Sequence, residues 1–325
     1  MGRKTVIVGG GAWGTALACV ALRAGQDTAL LCRDGEVAEA LSERGTNPRY
    51  LPGIQLPERI AATTDPSVLE DAGIVILAIP AQGLRAALPA LAPHIPPDAV
   101  LINTAKGIEV ATGLTLSHAL AELCPDRPQA ILSGPSFATD VAVGKPTAVT
   151  LASVDEALAL SLCRALSSDA FRVYASGDVA GVETGGALKN VYAIAAGIVI
   201  GMGYGESAKA ALITRAFVEL RRLGTAMGGQ EQTYMGLSGF GDLMLSCASP
   251  QSRNFGYGMA LGQGEDLAGR PLAEGAATVQ IAGRIAEERG VDAPILQMTR
   301  RLLAGEVTPQ DAMQILLTRP IKEEF

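Results

Sequence analysis

Histidine is nearly absent from this chain, two in 325 residues. Neither His94 nor His118 has a cysteine or a second histidine at ligand spacing, so no metal is expected and both read as surface residues. Cysteine is sparse as well. Cys19, Cys32, Cys124, Cys163 and Cys247 make an odd number with no C-x-x-C pair. That excludes a disulfide scaffold and leads us to expect reduced thiols and a cytoplasmic location. Positive charge is in deficit, with 26 Lys plus Arg against 33 Asp plus Glu and a net charge of −7. A nucleic-acid partner, which needs a cationic surface, is therefore not expected. A small cationic pocket for an anionic metabolite remains compatible with that balance. The longest apolar run, Val191 to Tyr204, is broken by glycines and lies between Lys189 and Glu206. It is too short for a membrane span and predicts a buried core helix. The start, Met1-Gly2-Arg3-Lys4 followed by Val6-Ile7-Val8, lacks the apolar run and cleavage site of a signal peptide.

What is present is a globular composition, 48% apolar and 18% charged, the reverse of a disordered chain. The length exceeds one usual core and predicts two domains. The first half alternates apolar strands with helical segments. The strands are Thr5–Val8, Thr28–Cys32, Ile74–Ile79, Ala99–Ile102, Ala130–Leu132, Ala148–Leu151 and Phe171–Tyr174. A small-residue helix runs from Gly14 to Ala24. Continuous apolarity points to strands covered on both faces, hence a mainly parallel sheet flanked by helices. Ser153-Val-Asp-Glu156 reads as a capping box ahead of a helix with Leu158, Leu162 and Leu166 on one face. After Gly177 strand signals stop. Ile213, Phe217 and Leu220 share a helical face, as do Ile281 and Ile285, and Ile295, Met298 and Leu302. The fold class is α/β: an N-terminal, Rossmann-type, doubly wound sheet over 1–177, followed by an all-α domain over 178–325.

Gly9-Gly10-Gly11-Ala12-Trp13-Gly14 fits G-x-G-x-x-G, directly after a strand and opening a helix. In that setting Gly9 makes the tight turn, Gly11 admits a pyrophosphate and Gly14 lets helix and strand pack. The helix N-terminus then offers free N–H groups to phosphate. A dinucleotide site follows. The second strand ends in Cys32-Arg33-Asp34. Arg33 leans toward the 2′-phosphate of NADP, and Asp34 keeps NAD open.

Ligands of open parallel sheets sit beyond the strands' carboxyl ends. Lys106 follows one strand there and the Gly134-Pro135-Ser136 loop follows another. In the helical half, Lys189 and Asn190 interrupt small and apolar residues. Asp242 precedes an apolar helix, where capping is its ordinary use. Ser252-Arg253-Asn254 groups a hydroxyl, a guanidinium and an amide, a set suited to phosphate.

These residues carry a resemblance. The chain resembles bacterial NAD(P)-dependent glycerol-3-phosphate dehydrogenase over nearly its whole length. Eight segments match in order: GGGAWGTA from Gly9, NPRYLPG from Asn47, TAKGIE from Thr104, SGPSFA from Ser133, VETGGALKNVYAI from Val182, KAALITR from Lys209, GFGDL from Gly239 and QSRN from Gln251. The resemblance implies that Lys189 is the catalytic acid/base and that Lys106 lies against cofactor and substrate. It implies substrate contacts for Gly134, Ser136, Asp242, Ser252, Arg253 and Asn254. Cofactor contacts would be Gly9, Gly11, Ala12, Trp13, Gly14, Arg33, Lys106, Ala138, Arg253 and Glu274. Ala12 departs from the family's usual Ser and removes a hydroxyl, though not the backbone N–H.

The activity so implied interconverts sn-glycerol 3-phosphate and dihydroxyacetone phosphate with NADP or NAD, supplying glycerol 3-phosphate for phospholipid synthesis. Lys189 would deliver the proton, its pKa lowered by burial and by Lys106 and Arg253, with Asp242 opposing. The partner is a small phosphorylated molecule, and the apolar helical half is compatible with a homodimer. Two other readings stay open. One is an NAD(P)-dependent 3-hydroxyacid or sugar-acid dehydrogenase of the same two-domain plan. The other is a non-catalytic dinucleotide sensor, which would have no use for Lys189 and Asp242.

Overall fold

In the computed structural model, residues 3–57, 59–267 and 273–320 are described. Met1, Gly2, Leu272 beside Glu274 and the last five residues of the second expected domain lie outside them. Eight strands form one sheet: β1 (Lys4–Val8), β2 (Thr28–Leu31), β3 (Ala61–Thr63), β4 (Ala72–Leu77), β5 (Val100–Asn103), β6 (Gln129–Ser133), β7 (Thr147–Ala152) and β8 (Phe171–Ser176). Their order is β3-β2-β1-β4-β5-β6-β7-β8. All neighbours pair in parallel except β6 with β7. The first six strands thus have the doubly wound dinucleotide order, with its crevice at the carboxyl ends of β1 and β4.

The continuous apolar runs do what both-face burial requires. Ile7, Ile76 and Ile102 point into one core with the helix α1 (Ala12–Arg23). Val6, Val8, Val75, Leu77 and Leu101, one residue out of phase, point into the other. Four further helices accompany the sheet: α2 (Gly35–Glu39), α3 (Leu84–Leu91), α4 (Leu116–Leu123) and α5 (Ala138–Ala142). A sixth, α6 (Glu156–Leu166), starts on Asp155, not Ser153. Asp155 accepts the Ala157 and Leu158 N–H groups at 2.9 and 3.1 Å, while the Ser153 hydroxyl donates to the Gln129 carbonyl at 2.9 Å. In place of the expected capping box the helix has an aspartate cap two residues later. Strand β3 carries no apolar run to mark it in the sequence, because Ala-Ala-Thr is three residues long and partly exposed.

After Ser176 every regular element among the described residues is a helix. The α-helices are α7 (Val179–Gly201), α8 (Glu206–Ala226), α9 (Glu231–Tyr234), α10 (Asp242–Ala248), α11 (Arg253–Gly262), α12 (Glu274–Glu288), α13 (Pro294–Leu303) and α14 (Pro309–Leu317), and a π-helical turn, Leu237–Gly241, leads into α10. Helix α7 is longer than its apolar run suggested. By length and composition it could cross a membrane, yet 89% of its most apolar stretch is buried inside the protein. Its neighbours can approach because both backbones meet at glycine. A Cβ on Gly197 would stand 2.1 Å from the Phe255 carbonyl oxygen, and one on Gly258 2.1 Å from that of Ile194. This packing sets α7 on the axis of the helical half, with Lys189 at mid-helix. All five cysteines are buried, and no disulfide joins any of them. His94 pairs with Glu70 and His118 with Thr115 near the surface. No cluster able to hold a metal occurs among the described residues.

Candidate active site

The glycine turn closes β1 as its sequence requires. Gly9 has φ +121°, and a Cβ there would lie 2.5 Å from the Ala78 carbonyl oxygen. Gly14 packs harder still, since its Cβ would fall 1.9 Å from the Gly9 carbonyl oxygen. Gly11 faces open space. The Gly14→Ala variant is expected to lose roughly 1–3 kcal/mol of unfolding free energy, read by urea denaturation; an unchanged midpoint would mean that the turn yields freely. Trp13 holds its indole N–H buried with no partner in the protein. An open Gly11, a helix N-terminus and an unpaired buried donor fit a dinucleotide's phosphates and polar groups. Ala12 is the first residue of α1 and Ala138 the first of α5. Arg33 is exposed at the end of β2.

Next along the same crevice is a buried charge cluster. The Lys189 ammonium donates to Asp242 Oδ1 at 2.6 Å and to the Ser246 hydroxyl at 2.6 Å. The Lys106 ammonium donates to Asp242 Oδ2 at 2.6 Å and to the Gly134 carbonyl at 3.0 Å. Two cations thus share one carboxylate whose side chain is only 1% exposed. Asp242 is not a cap; Gly241 stands at that position and the carboxylate turns to the lysines. Burial lowers the Lys189 pKa to about 8, with Asp242 raising it and Lys106 lowering it. The Arg253 charge acts on Glu274, whose carboxyl burial pushes up against the opposing Arg253, Lys189 and Lys106.

Ser136 donates to the same Gly134 carbonyl at 3.1 Å. Ser252 caps α11, accepting the Phe255 N–H at 3.4 Å, so its own proton stays free to donate. Asn254 accepts from the Gly275 N–H at 2.9 Å and donates to Asn190 at 3.0 Å; Asn190 in turn donates to the Lys106 carbonyl at 3.2 Å. Gln251 reaches Thr139 at 2.5 Å, tying the Ser252–Asn254 segment to α5. The sheet and helical halves therefore bring Lys106, Gly134, Ser136, Lys189, Asp242, Arg253, Asn254 and Glu274 to one place. Gly9 to Gly14 and Arg33 lie at the strand ends beside it. Ser246 went unnoticed in the sequence, although its four-residue spacing from Asp242 puts both on one face of α10.

This arrangement can hold a dinucleotide at the sheet's carboxyl edge and an anion against Lys106 and Arg253, and it can protonate an oxygen from Lys189. The family model for the N-terminus of NAD-dependent glycerol-3-phosphate dehydrogenase matches residues 4–159, and that for its C-terminus matches 178–314. A glycerol-3-phosphate dehydrogenase [NAD(P)+] of Mesorhizobium japonicum is 53% identical over 322 residues, covering 99% of this chain and 94% of the relative. One from Brucella melitensis is 52% identical across the whole of both chains. The crystal structure of glycerol-3-phosphate dehydrogenase from Coxiella burnetii superposes with a TM-score of 0.91 at 35% identity, covering 98% of this chain and 99% of that one. The chain belongs to the NAD-dependent glycerol-3-phosphate dehydrogenase family.

Proposed function

We propose that this chain interconverts sn-glycerol 3-phosphate and dihydroxyacetone phosphate, using NADP or NAD, with Lys189 as the acid/base. The reading is carried by one observation: two ammonium groups share the buried Asp242 carboxylate next to a dinucleotide-type glycine turn. A bound nicotinamide nucleotide supplies or accepts a hydride. Gly9, Gly11, Ala12, Trp13, Gly14, Arg33, Ala138 and Glu274 are the residues we assign to holding it.

In the reducing direction the ketone oxygen gains negative charge and needs a proton. Lys189 gives that proton, and Lys106 helps neutralise the charge as it develops. A pKa near 8 lets Lys189 serve in both directions near neutral pH. Asp242 orients both ammonium groups. Ser252, Arg253 and Asn254 grip the phosphate, with Gly134 and Ser136 beside the carbon skeleton. Gripping a group that does not react fixes the carbonyl where it must react.

Arg253→Ala is expected to raise KM for dihydroxyacetone phosphate by ~10–100-fold, the worth of one hydrogen-bonded charge pair, with a smaller change in kcat. A flat KM would remove Arg253 from phosphate binding. Comparing dihydroxyacetone phosphate with unphosphorylated ketones and 3-hydroxy acids, by nucleotide oxidation, tests the whole reading. Turnover of the unphosphorylated compounds alone would favour the related hydroxyacid plan. Tight nucleotide binding with no turnover would favour a sensor.

The same proposal includes division of labour between 1–177 and 178–325, supported by the last strand ending at Ser176 and by Asp178 capping α7. It includes supply of glycerol 3-phosphate to phospholipid synthesis in the cytoplasm, for which five cysteines without a disulfide argue. It also includes a homodimer and, given the acidic balance, no nucleic-acid partner.

A further inference from the structure

The segment Asn47 to Gly53 has no part in the chemistry above, yet it is tied to the cofactor turn. Asn47 is fully buried, and its amide donates to the Gly10 carbonyl at 3.0 Å and to the Thr15 hydroxyl at 2.8 Å. The next residues are thereby held at the mouth of the crevice, beside the end of β2. There the Arg49 guanidinium lies 5.4 Å from the Tyr50 ring centre and 2.5 Å from Asp34 Oδ2. The other oxygen, Asp34 Oδ1, accepts the Glu36 N–H at 3.0 Å.

Asp34 stands where a dinucleotide fold places the carboxylate that accepts from a ribose 2′-hydroxyl. Each oxygen of such a reader can accept two hydrogen bonds, so a partner already on each oxygen reduces what is left for a ribose diol without removing it. Here one oxygen serves the backbone of α2 and the other a guanidinium. Arg33, exposed beside it, adds a second planar cation. A guanidinium paired to one carboxylate still has N–H groups to offer a second oxyanion. Two such cations around one occupied carboxylate suit a phosphate monoester better than a diol.

We propose that Arg49 is a specificity-determining residue: by occupying Asp34 and joining Arg33, it makes this rim select the 2′-phosphate of NADP(H) over the 2′-hydroxyl of NAD(H). The inference rests on the dinucleotide reading above and adds the choice between the two nucleotides.

The test is binding, without turnover. The full chain is titrated calorimetrically with 2′,5′-ADP and with 5′-AMP, then by fluorescence with NADPH and NADH. Wild type should bind 2′,5′-ADP at least about tenfold more tightly than 5′-AMP, the equivalent of one charged hydrogen bond. Arg49→Gln should weaken NADPH by about tenfold or more and leave NADH within about twofold, and Arg33→Gln should weaken NADPH to a similar extent. Asp34→Asn keeps a side chain able to cap α2 and should also leave NADH within about twofold. Equal affinity for 2′,5′-ADP and 5′-AMP in wild type would overturn the selection. A drop of about tenfold for NADH in Asp34→Asn would overturn it too, because Asp34 would then be reading a ribose. If neither NADPH nor NADH binds wild type, the dinucleotide reading falls with it; if both bind alike, only the selection falls.

Discussion

Lys189→Ala is expected to lower kcat for dihydroxyacetone phosphate by ~10²–10⁴-fold, the usual worth of a positioned acid, with nucleotide affinity little changed. The separation follows from position. Lys189 lies at mid-α7, its ammonium held by Asp242 and Ser246, whereas the glycine turn belongs to β1 and α1. Removing the lysine would take away the proposed proton donor and leave the glycine turn untouched. The wild-type pH profile should carry the same residue's signature. Burial holds Lys189 at about 8, below an ordinary lysine. Ketone reduction needs the ammonium, so kcat/KM in that direction should fall as pH rises through about 8. Alcohol oxidation needs the free amine, so the opposite direction should rise over the same interval. Near-normal turnover of the alanine variant would remove Lys189 from the mechanism. A profile that is flat between pH 7 and 9 in both directions would do the same for its titration.

How much of this was legible in the sequence depends on how local each signal was. The glycine turn was, because Gly9, Gly11 and Gly14 answer to backbone constraints within six residues. The strands from β1 to β8 were visible wherever β-branched residues ran together, and β3 was not, because Ala-Ala-Thr has no such run. Lys106, Lys189 and Asp242 could be singled out as polar residues in apolar surroundings. That one carboxylate serves both lysines could not, since the partners are 136 and 53 residues apart. The same distance hid the action of Arg253 on the buried Glu274 carboxyl. It also hid Glu219, which looks like one more charge on α8. In the fold it is buried and accepts the Ile295 and Leu296 N–H groups that open α13. Ser153 failed for a subtler reason. Its spacing to Glu156 fits a capping box, but Asp155 is closer to the first free N–H groups and binds two of them.

The shared carboxylate leads to the second large effect. Asp242→Asn should lower kcat by about two orders of magnitude, in the range expected for an acid that is present but poorly charged and poorly aimed. Asp242 is the group that most strongly supports the charged form of Lys189, and Lys106 works against it. With an amide at 242 the two ammonium groups face each other with no anion between them. The pKa of Lys189 must then fall further, and the inflection in the reduction profile should move from about 8 to lower pH by about one unit or more. At neutral pH a smaller fraction of the enzyme then holds the proton that the ketone needs. The fold should suffer as well, since breaking a buried ion pair from one side costs about 3–5 kcal/mol. Proton loss from one lysine would offset part of that cost. Unfolding of the variant in urea should therefore show a stability loss that is larger at pH 6, below the wild-type Lys189 pKa of about 8, than at pH 9. An unshifted rate profile together with wild-type stability would mean that Asp242 does not govern the charge on Lys189. The three-residue cluster would then be a contact without consequence for proton transfer.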